Sequence, residues 1–187
     1  MRATTFVFPH ATLTKIEGKP THETVTIFKS ELYANALQND CTLGGGDNGY
    51  LGLIMPTTEY EKTQTDDGVQ HPIAFAKPPP PDPTAAEAII IRTNKEILDY
   101  KTMEGQLKGQ IIAAIHMDYI AEIRDTKFGF AKVTTKALLA FIVTKYDVIT
   151  PNELTQNWAL LEEAWDITKP IMGLWSRIRA VQNLAQR

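Results

Sequence analysis

The sequence predicts an all-α fold, a helical bundle preceded by an irregular N-terminal arm or hairpin. Three observations predict it. Beyond residue 84, apolar side chains recur every three or four positions, the period of a helix face. Helix-start signals precede these stripes, the clearest being Thr-Pro-Asn-Glu at 150–153. No long alternating segment of the kind that marks a half-buried strand follows residue 50.

Residues 1–20 alternate apolar and polar side chains loosely (Phe6, Phe8, Leu13, Ile16) and end at Gly-Lys-Pro, which reads as an extended arm or short hairpin. Thr21 is a cap for the first helix, and Glu23 in its first turn suits the helix dipole. Val25, Phe28, Leu32 and Ala36 form one stripe, and the helix should stop near Asn39, ahead of Leu-Gly-Gly-Gly-Asp-Asn-Gly at 43–49. A short apolar run, 50–55, closes at Pro56, and 56–83 shows little periodicity. The prolines at 78–81 and 83 require extended backbone and predict an exposed, stiff loop over 77–83.

Asp82 or Thr84 is placed to cap the next helical region, where Ile90, Ile97, Leu107, Ile111, Ala114 and Ile115 support helix. Gly105 and Gly109 are candidate bends, and a break is expected near His116–Asp118. After a loop at Asp-Thr-Lys-Phe-Gly-Phe, Thr134 or Thr135 caps a helix apolar almost all round, hence central to the core. Thr150, Pro151 and Glu153 open a helix carrying Leu154, Trp158, Leu161 and Trp165. Pro170 starts the last helix, with Ile171, Leu174, Trp175, Ile178 and Val181 on one face. The resulting division is an arm at 1–20, a helical domain at 21–148 and a closing segment at 149–187.

At 187 residues with 43% apolar composition, the chain can bury a real core. Its formal charge of −3 lacks the basic excess of a protein whose main task is gripping nucleic acid. The lone Cys41 excludes an internal disulfide and suits a reducing compartment; a small buried apolar role fits it better than a reactive thiol. No apolar run approaches a membrane span or a signal peptide, so a soluble, cytoplasmic chain without membrane partners is expected.

The glycine block invites a functional label, because Gly44-x-Gly46-x-x-Gly49 matches the dinucleotide fingerprint. That fingerprint needs a strand before it and a helix after it, and a helix precedes it here. The phosphate-loop pattern also fails, since Tyr50 and Leu51 stand where lysine and a hydroxyl are required. Gly44, Gly45, Gly46 and Gly49 therefore read as a structural turn. A nucleotide-binding enzyme built on Gly44–Gly49 is the weakest of three functional alternatives.

Other chemistry is equally sparse. His10, His22, His71 and His116 lie apart, and no metal-ligand spacing occurs. Only Ser30 and Ser176 offer a serine hydroxyl, both on predicted helices with nothing to activate them. The sequence thus predicts no catalytic residues, no metal, no cofactor and no small-molecule substrate. Trp158, Leu161, Trp165, Trp175 and Ile178 read as core or as an assembly interface. Lys169, Arg177, Arg179 and Arg187 form a modest basic group, a possible weak nucleic-acid contact.

Four stretches, in order, resemble a known family: 12–36, a lead-in and first helix; 43–55, a glycine block followed by hydrophobic-Gly-hydrophobic; 128–154, a helix ending in Tyr before a turn and a new helix; and 165–185, a loop leading to a helix with a Trp-x-Arg-Ile pattern. Together they look like the Gag-like capsid region of copia-type LTR retrotransposons, particularly the divergent copia-like Gag sequences of algae and other microbial eukaryotes. The resemblance implies a capsid-like helical bundle whose function is self-assembly into a shell, in an active element or a domesticated copy. It implies that 149–187 begins a second capsid-like lobe or supplies the final helices of the first. Such Gag proteins tend to carry a Cys-Cys-Cys-His zinc knuckle downstream. With one cysteine here, RNA contact is expected through residues outside this chain. A helical adaptor, binding a partner through the proline loop, is the alternative.

Overall fold

A computed structural model describes residues 4–41, 43–44, 48–62, 75–166 and 168–185. Among them there are seven α-helices, two short 3-10 turns and no strand, so the fold is all-α. The chain divides into two compact units, Met1–Asp147 and Val148–Arg187.

In the first unit, α1 (His22–Leu37) begins where Thr21 accepts a hydrogen bond from Thr24 N, while Thr24 Oγ1 accepts from Thr21 N at 2.9 Å. Val25, Phe28, Leu32 and Ala36 are all fully buried, as their spacing predicts. A 3-10 turn (Leu51–Leu53) and the short α2 (Thr57–Tyr60) follow the glycine block. Next comes α3 (Glu87–Ala114), roughly 42 Å long at 1.5 Å per residue. Its buried residues Met103, Leu107 and Ile111 recur every four positions and meet α1 and α5. Helix α4 (Met117–Ile120) is brief, and α5 (Thr135–Tyr146) buries Leu138, Leu139 and Ile142 against α1 and α3. Each such aliphatic side chain contributes about 1.5–3 kcal/mol by leaving water.

Three local expectations change. Ala86, not Asp82 or Thr84, occupies the cap position of α3. Asp82 instead closes its own turn, accepting from Thr84 N at 2.8 Å and Thr84 Oγ1 at 2.7 Å. Helix α3 runs unbroken through Gly105 and Gly109, where an added Cβ would meet nothing within 4 Å. The proline loop is not wholly exposed: Pro78 is buried and Pro81 half-buried, while Pro79, Pro80 and Pro83 face solvent. The break after α3 comes at Ile115 and His116, and Thr134 caps α5 by accepting from Ala137 N.

The arm is extended and held by side chains. Ile16 forms an isolated parallel bridge to Ile115, with Ile16 N donating to Ala114 O at 2.8 Å. Farther out, Glu31 and Asn35 of α1 and Asn39 just past its C-terminal end, four residues apart, grip the arm backbone in place of a partner strand. Glu31 accepts from Thr14 N and Thr14 Oγ1; Asn35 exchanges two bonds of 2.8 Å with the His10 backbone; Asn39 exchanges two of 2.9 Å with Val7. At the far end Asp99 of α3 accepts from Thr4 N, Thr4 Oγ1 and Lys95 Nζ. Burial works against the Asp99 charge, but these donors outweigh it and hold its carboxyl below the usual range. The arm lacks a partner strand, and this polar ladder takes up its backbone groups instead.

The second unit is a helical hairpin of α6 (Pro151–Glu162) and α7 (Ile171–Ala185). Asn157 Nδ2 donates to Val181 O at 3.1 Å, joining the middle of α6 to the C-terminal part of α7. Near the turn, Arg177 binds Glu163 through Oε2 (3.2 Å) and the carbonyl (2.9 Å), with its guanidinium 5.4 Å from the Trp165 ring centroid. Gly173 gives Trp165 room: a Cβ there would lie 2.9 Å from the indole.

Candidate interaction surfaces

The glycine block is a packing hub. Gly44 and Gly49 have φ of 81° and 49°, backbone that glycine alone adopts without strain; Gly45 and Gly46 lie outside the described residues. A Cβ on Gly49 would stand 2.6, 2.7 and 2.8 Å from the carbonyl oxygens of Ala36, Leu37 and Asn39. Gly49 thus sits against the C-terminal end of α1, and Tyr50 N donates to Ala36 O at 2.9 Å. That end of a helix is electronegative and repels phosphate, the opposite of a dinucleotide loop. A Cβ on Gly44 would collide with the Tyr60 hydroxyl, and one on Gly52 with the Phe75 ring. These glycines let Tyr50, Tyr60 and Phe75 assemble edge-on, with Phe75 stacked on Tyr100. Burial raises the thiol pKa of half-buried Cys41 beside them, which favours the unreactive protonated form.

One groove of ≈ 400 Å³ runs between the arm and α3, lined by Phe8, Leu13, Gln106, Gly109 and Gln110 among others. Lys15 is its one ionisable lining residue, so it holds no acid–base pair. Among the described residues, no three His, Cys, Asp or Glu side chains gather as metal ligands, and no helix is long and apolar enough to cross a membrane. His22, once at the start of α1, hydrogen-bonds Asp147 at the end of α5, and Lys29 pairs with the same carboxylate at 3.4 Å. This cluster ties α1 to α5 inside the first unit.

The second unit looks different. Leu154, Trp158 and Leu161, predicted to share one face of α6, are all exposed, Trp158 at 66%. Ile171, Met172 and Trp175 at the start of α7 are exposed too, Trp175 at 53%. Core packing is therefore corrected for Trp158, Leu161 and Trp175. Trp165 and Ile178 are half-buried within the hairpin, and Val181 is the unit's one fully covered large apolar residue among those described. A two-helix unit lacks a third layer to cover both stripes.

The basic group predicted at the C-terminal end disperses. Arg177 is committed to Glu163 and Trp165, and Arg187 lies outside the described residues. Lys169 and Arg179 are exposed, but two cations do not make a patch.

A different cationic surface lies on the first unit, and the sequence reading passed over it. The loop after α4 is closed by paired bonds between Asp125 and Gly129, of 3.0 and 2.9 Å, with Gly129 at φ 59°. Asp125 Oδ1 also accepts from Lys127 N and Phe128 N. Phe128 stands at the tip, 45% exposed, with Lys132 Nζ 3.9 Å and Lys127 Nζ 5.3 Å from its ring centroid. The available signal was Lys-Phe-Gly-Phe-Ala-Lys itself, an aromatic with a cation on either side.

No family model, curated protein or solved structure matches this chain.

Proposed function

We infer that the protein is a structural subunit that associates with copies of itself, as its resemblance to copia-type Gag capsid regions implies, and that it does so inside the cell. One observation carries this reading. The α6–α7 hairpin spends its large apolar side chains on solvent, with Leu154, Trp158, Leu161, Ile171, Met172 and Trp175 all exposed. Aromatic and Met side chains of this kind are what buried interface centres use.

A second copy is the occupant this surface suits. Glu162 near the end of α6 and Arg179 on α7 are exposed and form no ion pair among the described residues. Acid on one helix and base on its neighbour make the hairpin self-complementary under a two-fold axis, where each copy offers both halves. Repetition of one such contact, with others on the first unit, builds extended assemblies.

Sedimentation of the full chain over a concentration series tests this directly. Mass rising with concentration, and more steeply as salt strengthens apolar association, supports the reading. A strict monomer throughout would overturn it.

A further inference from the structure

We propose that the Asp125–Lys132 loop of the first unit is a binding site for single-stranded nucleic acid, with Phe128 as the stacking platform and Arg124, Lys127 and Lys132 as its phosphate contacts. The inference stands apart from self-association, since it uses a different unit and different residues.

The loop is built before any ligand arrives. Two backbone bonds close Asp125 to Gly129, and the Asp125 carboxylate is consumed by the loop's own amides. Ala131 N donates to Phe128 O at 3.1 Å and Val133 N to Phe130 O at 3.1 Å, which continues the ordered path away from the tip. Phe130 packs against the core and anchors the base. Holding a large aromatic exposed on an ordered tip lowers the entropy lost on binding.

Charge points the same way. Between Arg124 and Lys136 there are four basic residues and one acid, in a chain whose formal charge is −3. Lys136 turns away to Thr57 Oγ1 at 3.3 Å. Arg124, Lys127 and Lys132 are exposed, and none has an ion-pair partner among the described residues. Uncompensated cations beside a stackable ring match a strand of phosphates and bases, in which stacking is tolerant of sequence.

The ring geometry separates this ligand from a lipid surface. Lys132 Nζ sits over one face of Phe128 at 3.9 Å, so sinking the ring into hydrocarbon would carry an ammonium with it. Against a nucleic acid, the two ammonium groups beside the ring can meet the phosphates that flank a stacked base. Phe128 is also the one large apolar side chain exposed on this loop, too little for insertion but sufficient for one base.

Fluorescence polarisation of a labelled single-stranded oligouridine with the full chain provides the test, below the concentration at which the protein associates. Phe128→Ala should weaken binding about tenfold, the worth of one stacked base, and Phe128→Tyr should restore it. Lys127→Ser with Lys132→Ser should reduce the slope of log K against log salt by about 1.4, two phosphates at about 0.7 each. Lys169→Ser, an exposed cation on the other unit, should leave both quantities unchanged. Matching thermal melts establish that each variant is folded. Absence of binding at low salt overturns the proposal, as does affinity indifferent to Phe128→Ala. Stronger, Phe128-dependent capture by anionic phosphatidylserine vesicles than by oligouridine would assign the loop to membranes and overturn it equally.

Discussion

Removing the Asn35 side chain should loosen the arm and destabilise the whole first unit. Asn35 is fully buried, and its amide makes three bonds: accepting from His10 N at 2.8 Å, donating to His10 O at 2.8 Å and donating to Gln110 Oε1 at 3.0 Å. Each is worth about 1 kcal/mol net, so Asn35→Ala forfeits about 3 kcal/mol. Orphaning a buried polar group adds to that, but His10 is only half-buried and water can reach part of its backbone. The balance is about 2–4 kcal/mol, or about 6–12 °C in melting temperature for a unit of this size. Circular dichroism during thermal and urea unfolding reads the change. Asn39→Ala, whose partner Val7 is exposed, should cost about 1 kcal/mol under the same conditions. If Asn35→Ala melts within a degree or so of the parent, the side-chain ladder does not hold the arm and the reasoning fails.

Two further outcomes concern the first unit. Gly49→Val should destabilise by about 2 kcal/mol or more, because a β-branched residue must adopt positive φ and meet three backbone oxygens closer than 3 Å; an unchanged urea midpoint would remove the packing-hub assignment. Asp99→Asn should cost about 1–3 kcal/mol at neutral pH. The folded-state carboxyl is held below its unfolded value, so its stabilisation is present above about pH 4 and fades as pH falls further. Urea midpoints of parent and variant should therefore converge in acid, and a gap that persists at pH 2 would show that charge is not what Asp99 contributes.

Much of the fold was legible because its helices are amphipathic and well punctuated. Thr21, Thr134 and Pro151 start their helices where their chemistry says they should, and the α1 stripe is buried residue for residue. The cap of α3 was misplaced because Asp82 satisfies itself locally with Thr84, a competition that spacing alone does not resolve. The arm's attachment was invisible for a similar reason. Glu31, Asn35 and Asn39 look like an ordinary polar edge of a helix until an extended backbone lies along them. Periodicity also misled at the tryptophans: Leu154, Trp158 and Leu161 carry the spacing of a packed face, but a stripe records that a surface wants cover, not which partner supplies it. The candidate site at Phe128 is harder to read from sequence because Lys-Phe-Gly-Phe-Ala-Lys carries no helix or strand period, and the turn closed between Asp125 and Gly129 is what leaves Phe128 exposed with Lys127 and Lys132 beside its ring.

Self-association through the α6–α7 hairpin is tested most directly by sedimentation equilibrium of the parent chain beside Trp158→Ala and Trp175→Ala. Trp158 leaves 66% of its surface in water. At roughly 250 Å² for a whole indole and 25 cal/mol per Å², covering it is worth about 4 kcal/mol per copy. The parent should associate as concentration rises, and either substitution should raise the dissociation constant at least about a hundredfold while secondary structure by circular dichroism stays intact. A parent that remains a monomer at every concentration, or variants that associate as well as it does, would contradict the account.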